Sequence, residues 1–231
     1  MEKSNKSVIA VVTLIAGLVV GGGLGYATGN SKKDDTSTNS SSNSSAMVKA
    51  DPSTKSAGLR ALLNNLESEH VDLASAATRA GFDGDASFAA TAAALGKNTD
   101  NLSAAIGSVY GEEAGAKFKE IWASHIGFFV DYTVAAKKGD KAGMDMAVKN
   151  LNGYVEAIST FLSGANPNLP KDAVAQLVTE HVGLLKEAVD KHGAGDFAAS
   201  YDAQSRARVQ ITTKIADTLA GAIVKQSPEK F

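Results

Sequence analysis

Three histidines, His70, His125 and His181, recur along the chain at nearly equal intervals. Each is followed, at an almost constant distance, by a Gly-Asp pair: Gly84-Asp85, Gly139-Asp140 and Gly195-Asp196. Each histidine also falls on an apolar stripe of helical period, where spacing alone would place a leucine. The first stripe is Leu59, Leu62, Leu63, Leu66, His70, Leu73 and Ala77. The second is Phe118, Ile121, Trp122, His125, Phe128, Phe129 and Tyr132, and the third is Val174, Leu177, Val178, His181, Leu184, Leu185 and Ala188. A glycine closes a helix and the aspartate after it caps the next, so each Gly-Asp pair reads as the turn of a helical hairpin.

The spacing predicts return helices over roughly 86–109, 141–163 and 197–225. Breaks are expected at Tyr110-Gly111 and between Gly164 and Pro170. No alternating strand pattern of useful length interrupts the series. The expected fold is therefore all-α: six antiparallel helices as three repeated hairpins over 57–231, forming one bundle or two overlapping four-helix layers. Aligning the return helices on Ile106, Ile158 and Ile215 puts Asn98 and Asn150 at one position. These two become candidate hydrogen-bond partners for His70 and His125. Ala207 occupies that position in the third pair, so His181 is expected in a different environment.

The segment 1–56 is unlike the rest. Residues 1–7 form a short N-terminus, expected in the cytoplasm. From Val8 to Tyr26 the chain carries no charge, a run close to the length that spans a bilayer as a helix. Residues 8–28 are therefore expected to be a transmembrane anchor or uncleaved signal. Lys3 and Lys6 precede the run, whereas Lys32 and Lys33 are offset by Asp34 and Asp35, which orients the folded part outward. A cleaved signal peptide is the rival reading, with passable sites at Gly25-Tyr26-Ala27 and Ala27-Thr28-Gly29; cleavage would make the protein secreted. Gly17, Gly21, Gly25 and Gly29 share one face and are a candidate dimer face. Residues 29–56, rich in Ser and Asn, cannot bury a core and read as a flexible linker.

Composition excludes several classes. The chain has no cysteine, hence no disulfides, thiolate metal site or cysteine nucleophile, and a net charge of −2 gives no basic field for nucleic acid. There is no Gly-x-Ser-x-Gly elbow and no phosphate loop after a strand, so nothing points to a recognised enzyme.

Several strings resemble a family of small all-helical bacterial proteins without an established function. They are Leu59-Arg60-Ala61-Leu62, Asn98-Thr99-Asp100, Tyr110-Gly111, Ile121-Trp122-Ala123-Ser124-His125-Ile126, Gly139-Asp140, Phe161-Leu162-Ser163-Gly164-Ala165-Asn166-Pro167, Ala216-Asp217 and Ile223-Val224-Lys225-Gln226-Ser227-Pro228. In order, they cover nearly all of 57–231. That family tends to carry aromatic residues where Leu63, Leu73 and Ser227 stand here. The resemblance implies the helical fold and the three histidines and supplies no catalytic role.

Three readings of the histidines follow. They are structural, satisfied by Asn98, Asn150, Asp100, Asn152 or Asp217; or they line a small-molecule pocket with Asn98, Asn150, Trp122 and neighbouring aromatics; or His70, His125 and His181 converge on a metal or haem. Glu67-Ser68-Glu69-His70 supplies one Glu-x-x-His pair, but Trp122 and Val178 stand where the other histidines would need a glutamate. No cofactor is expected at first reading. The sequence thus favours a membrane-anchored extracytoplasmic helical domain for binding at the cell envelope, with an envelope protein or small ligand as partner. The alternative is a His-lined metal- or haem-binding protein.

Overall fold

The computed structural model describes residues 52–231, which form six helices and, among the described residues, no strand. Five are uninterrupted: α1 Lys55–Asp83, α2 Phe88–Tyr110, α3 Glu112–Lys138, α4 Lys141–Ala165 and α5 Lys171–Gly193. The sixth rod joins α6 Phe197–Gln210, a π-helical turn Ile211–Ala216 and α7 Asp217–Gln226. None of these helices is long and apolar enough to cross a membrane. The expected anchor at 8–28 and its glycines Gly17, Gly21, Gly25 and Gly29 lie outside the described residues. So does nearly all of the expected linker.

Thr54 caps α1, its hydroxyl accepting from the Ala57 amide at 3.2 Å. The helix therefore starts inside the stretch that composition assigns to the linker. Gly84, Gly139 and Gly195 all take positive φ, at 77°, 67° and 75°. A side chain would be strained there, and the reversed backbone lets the following amides reach back to helix carbonyls. At two of these turns the aspartate caps the next helix: Asp140 accepts from the Gly143 amide at 3.0 Å and Asp196 from the Ala199 amide at 3.2 Å. Asp85 differs. Its carboxylate takes the Ser87 amide at 2.7 Å, tightening the turn and delaying α2 to Phe88 rather than 86.

Consecutive helices pack on one another, and α1 also meets α3, α5 and the whole sixth rod, which makes it the central element. The apolar interior falls into three clusters. The largest holds Leu63, Leu102, Ile106, Phe118, Ile158 and Ile223; the next is built from Val71, Phe129, Leu151, Leu185, Ala207 and Ile211; the smallest is Tyr132, Ala147 and Val189. Burying each such Leu or Ile contributes about 1.5–3 kcal/mol, so these stripes supply most of the drive to pack.

The register expected for the sixth rod is corrected. Ile106 and Ile158 are core residues, but Ile215 is only half-buried and Ile211 and Ala216 take the interior positions. The π-turn adds a residue to the turn and rotates everything after it. The Thr212 and Thr213 hydroxyls donate to the Arg208 and Val209 carbonyls alongside it, a competition that favours a widened turn.

Candidate functional site

His70 on α1, His125 on α3 and His181 on α5 come together in the interior, each no more than 5 % exposed. Equal positions on three stripes that face one another bring this about. The ring centroids of His70 and His125 lie 5.4 Å apart, and those of His70 and His181 6.2 Å apart. His70 Nε2 and His125 Nε2 approach to 3.4 Å, one donating and the other accepting. Trp122, three residues before His125 and therefore on the same face, sits 4.9 Å from both rings. Tyr154 stacks on His125 at 4.5 Å and 25°.

Glu67 occupies the matching place before His70. It is 2 % exposed, and its Oε2 has no hydrogen-bond partner. Burial pushes its carboxyl up to about 8, so it holds its proton at neutral pH. The imidazoles shift the other way. Burial, reinforced by the neighbouring rings, holds His70 well below its ordinary 6.5. Burial takes His125 down to about 3, with the His181 charge adding to the effect and the Trp122 carbonyl opposing it. It takes His181 down to about 4, against the hydrogen bond to Gln210 and the Glu180 charge. Burial, and then the charge of Glu67, raise the Tyr154 hydroxyl. The tier is therefore polar, buried and uncharged at neutral pH.

The predicted partners of the histidines are corrected. Asn98 is buried, but its amide donates to the Leu66 carbonyl at 2.9 Å and to Glu69 Oε2 at 2.8 Å rather than to His70. It braces α1 against α2. Asn150 is half-buried, beside Asp131, Val134 and Ala147 near the Gly139 turn, and Tyr154, one turn further along α4, meets His125 instead. Asp100 pairs with Lys119, Asn152 is exposed, and Asp217 binds Arg60 and Asn64. His181 does have an environment of its own: its Nδ1 lies 3.3 Å from Gln210 Oε1. Gln210 stands three residues after Ala207, on the same face, immediately before the π-turn.

The histidines convene without forming a three-ligand set. Among the described residues no group of three or more His, Cys, Asp or Glu is placed to hold a metal ion. His70 and His125 turn toward each other, whereas His181 turns toward Gln210. His192 stands apart near the Gly195 turn, bound to Asp83 Oδ1 at 2.9 Å.

Two cavities flank the tier. One, of about 340 Å³, is bordered by His70 and His125 and walled by apolar side chains including Ala77, Leu95, Phe129 and Val134. The other, of about 50 Å³, is bordered by Glu67, Trp122, Tyr154 and His181. Four buried polar atoms of the tier have no partner: Glu67 Oε2, His70 Nδ1, His181 Nε2 and Trp122 Nε1. Each such atom costs about 1–3 kcal/mol, a burden that packing alone does not explain. No protein-family model matches the chain, and neither a curated protein nor a solved structure matches it.

Proposed function

We propose that the helical region is a small-molecule-binding domain of the cell envelope, with its ligand chamber in the cavity beside His70 and His125. The observation that carries this reading is the cavity itself: about 340 Å³, apolar, and bordered by the imidazoles of His70 and His125. Ligand sites combine an apolar enclosure with a few polar groups in this way. In this reading residues 8–28 anchor the chain as a single pass, 29–56 tether it, and 57–231 lies outside the membrane. Gly17, Gly21, Gly25 and Gly29 pair two anchors into a homodimer. The domain arose as three copies of one hairpin, which accounts for the three positive-φ glycines and for a histidine on each of α1, α3 and α5. Kinship with small helical bacterial proteins rests on the strings quoted above.

Trp122 is the only tryptophan of the chain and adjoins both rings, so its emission reports on the tier. Titrating the full chain with 1-aminoanthracene, a slim uncharged fluorophore, should give saturable energy transfer from Trp122. Ala77→Phe, which fills the chamber, should abolish it; a non-saturable signal shared by both proteins would remove this reading. Labelling the domain's lysines in intact cells with a membrane-impermeant reagent tests its side of the membrane, and protection from the reagent counts against the outward orientation.

A second reading, a metal or haem bound at the tier, is favoured by one distance. His70 Nε2 and His125 Nε2 stand 3.4 Å apart, and two imidazoles bonded at about 2 Å to one tetrahedral ion leave a similar gap, roughly 3.3 Å. Elemental analysis and a visible absorption spectrum of the purified chain decide it. Less than a tenth of an equivalent of metal and no haem band set it aside.

A further inference from the structure

The larger cavity is bordered by two imidazoles, yet its inner end offers a ligand no polar group. His70 and His125 spend their Nε2 atoms on each other at 3.4 Å. His125 Nδ1 engages the Trp122 carbonyl of its own helix, and His70 Nδ1 is fully buried. What the rings turn to the space is therefore carbon. Thr78 and Thr133 also border it, but their hydroxyls donate to the Ala74 and Phe129 carbonyls of their own helices. A polar head placed inside would lose its water and gain no partner.

The space is long and narrow. Its lining runs along α1 from His70 to Gly84 and along α3 from His125 to Val134, while α2 reaches it only with Phe88 and Leu95 and α5 only with Leu185. At 1.5 Å per residue the two long walls measure about 21 Å and about 14 Å. At the inner end the histidines are 1 % and 2 % exposed, whereas Val134 is 44 % exposed, so the cavity is closed at the rings and opens at the Gly84 turn. A methylene fills about as much space as a water molecule, roughly 30 Å³. The 340 Å³ therefore admits one chain and not two.

The mouth carries a free cation. Gly84 borders the cavity, and a Cβ built on it would stand 3.1 Å from Lys137 Nζ, so the ammonium lies over the opening. Lys137 is exposed and, among the described residues, forms no ion pair; the same holds for Lys138. The nearby acids are engaged: Asp83 with His192, Asp85 with the Ser87 amide, and Asp140 with the Gly143 amide.

We infer that this cavity takes the tail of a single-chain alkyl anion of about ten carbons, its end against the His70–His125 pair and its head at Lys137. The inference rests on the binding reading above and names the ligand class and its direction. Each methylene that enters leaves water for an apolar wall, which favours binding. The head stays hydrated at the turn, where an anion meets an unpaired ammonium and a cation would be repelled.

The test uses the full chain in phosphatidylcholine nanodiscs at pH 7, with 1-aminoanthracene bound and read by energy transfer from Trp122. Decanoate, 1-decanoyl-lysophosphatidylglycerol and decylammonium compete against it, in the unaltered chain and in Lys137→Glu. Lys137 is exposed, so the replacement leaves the core intact, and the shared discs cancel the effect of probe dissolved in lipid. Decanoate should displace the fluorophore saturably and bind more tightly than decylammonium. Lys137→Glu should reverse that order, shifting the ratio of the two affinities by roughly tenfold, and leave 1-aminoanthracene binding unchanged. Displacement by decanoate alone identifies a free fatty acid as the source; displacement by the lysolipid identifies a membrane lipid, and either supports the inference. If 1-aminoanthracene binds saturably but neither anion displaces it, or if the affinity ratio is the same in Lys137→Glu, the anion assignment falls and the chamber stands. If 1-aminoanthracene itself does not bind saturably, the assignment and the binding reading beneath it fall together.

Discussion

Gln210 fixes the tautomer of His181. Its side-chain amide nitrogen donates to the Leu177 carbonyl at 2.9 Å, which turns its carbonyl oxygen toward His181 Nδ1 at 3.3 Å. An oxygen accepts and does not donate, so the proton of the neutral ring resides on Nδ1 and Nε2 keeps its lone pair. That lone pair is buried and unpartnered beside the smaller cavity. With about 50 Å³ available, the cavity has room for a water molecule able to meet His181 Nε2, the Trp122 N–H and the protonated Glu67.

Nitrogen-15 NMR of the imidazoles should show His181 as the Nδ1–H tautomer at pH 7. Gln210→Leu removes both hydrogen bonds and leaves His181 Nδ1 orphaned in the core, with an expected loss of about 1–3 kcal/mol in urea unfolding. Observing the Nε2–H tautomer in the unmodified protein would contradict the geometry.

The tier also gives stability a pH dependence with two limbs of opposite sign. His125 at about 3, His181 at about 4 and His70 well below 6.5 stay unprotonated in the fold, while the unfolded chain protonates them near 6.5. The unfolded state then binds more protons, so stability falls as pH drops from 6.5 toward 4. Glu67 works in the other direction: about 8 in the fold against an ordinary 4.5, it contributes stability that is complete below 4.5 and is lost as pH rises through 8. Up to a little below about pH 7 three rings outweigh one carboxyl, and from there to 8 Glu67 dominates. Stability should therefore peak at about pH 7. Glu67→Gln should flatten the alkaline limb and keep the acid one, as read from urea midpoints between pH 4 and 9. An alkaline limb unchanged in that variant would show that Glu67 does not carry it.

Much of this arrangement is legible in the chain, because helical period and turn chemistry are local. The apolar stripes place His70, His125 and His181 on inward faces, and Gly84, Gly139 and Gly195 mark three helix ends. Pairing between helices is less local. The aligned asparagines Asn98 and Asn150 suggest partners for the rings, yet a step of one turn along α4 brings Tyr154 to His125, and Asn98 finds a backbone carbonyl. Gln210 is hidden in the sequence because the π-turn that follows it breaks the period that alignment assumes. Glu67 carries a visible signal, three residues before His70, but its isolation from a second Glu-x-x-His pair conceals its place in a tier rather than in a di-metal site.

Two glycines in α3 should respond in opposite ways to the same substitution. A Cβ on Gly115 would lie 2.8 Å from the Ser103 carbonyl oxygen and 2.9 Å from Gly107 Cα, both backbone atoms of α2 that cannot swing aside. Gly115→Ala must push the two helices apart at their tightest approach, an overpacking cost of about 1–3 kcal/mol. The helix-propensity gain of up to about 1 kcal/mol offsets only part of it. Gly127, exposed in the middle of the same helix, has nothing within 4 Å of the corresponding position. There the substitution only restricts the unfolded chain and favours helix, so Gly127→Ala should gain about 0.5–1 kcal/mol. Urea unfolding of the two variants side by side decides the matter, since only the approach of α2 to α3 separates them. A Gly115→Ala protein as stable as Gly127→Ala would mean that α2 and α3 do not meet backbone to backbone in solution.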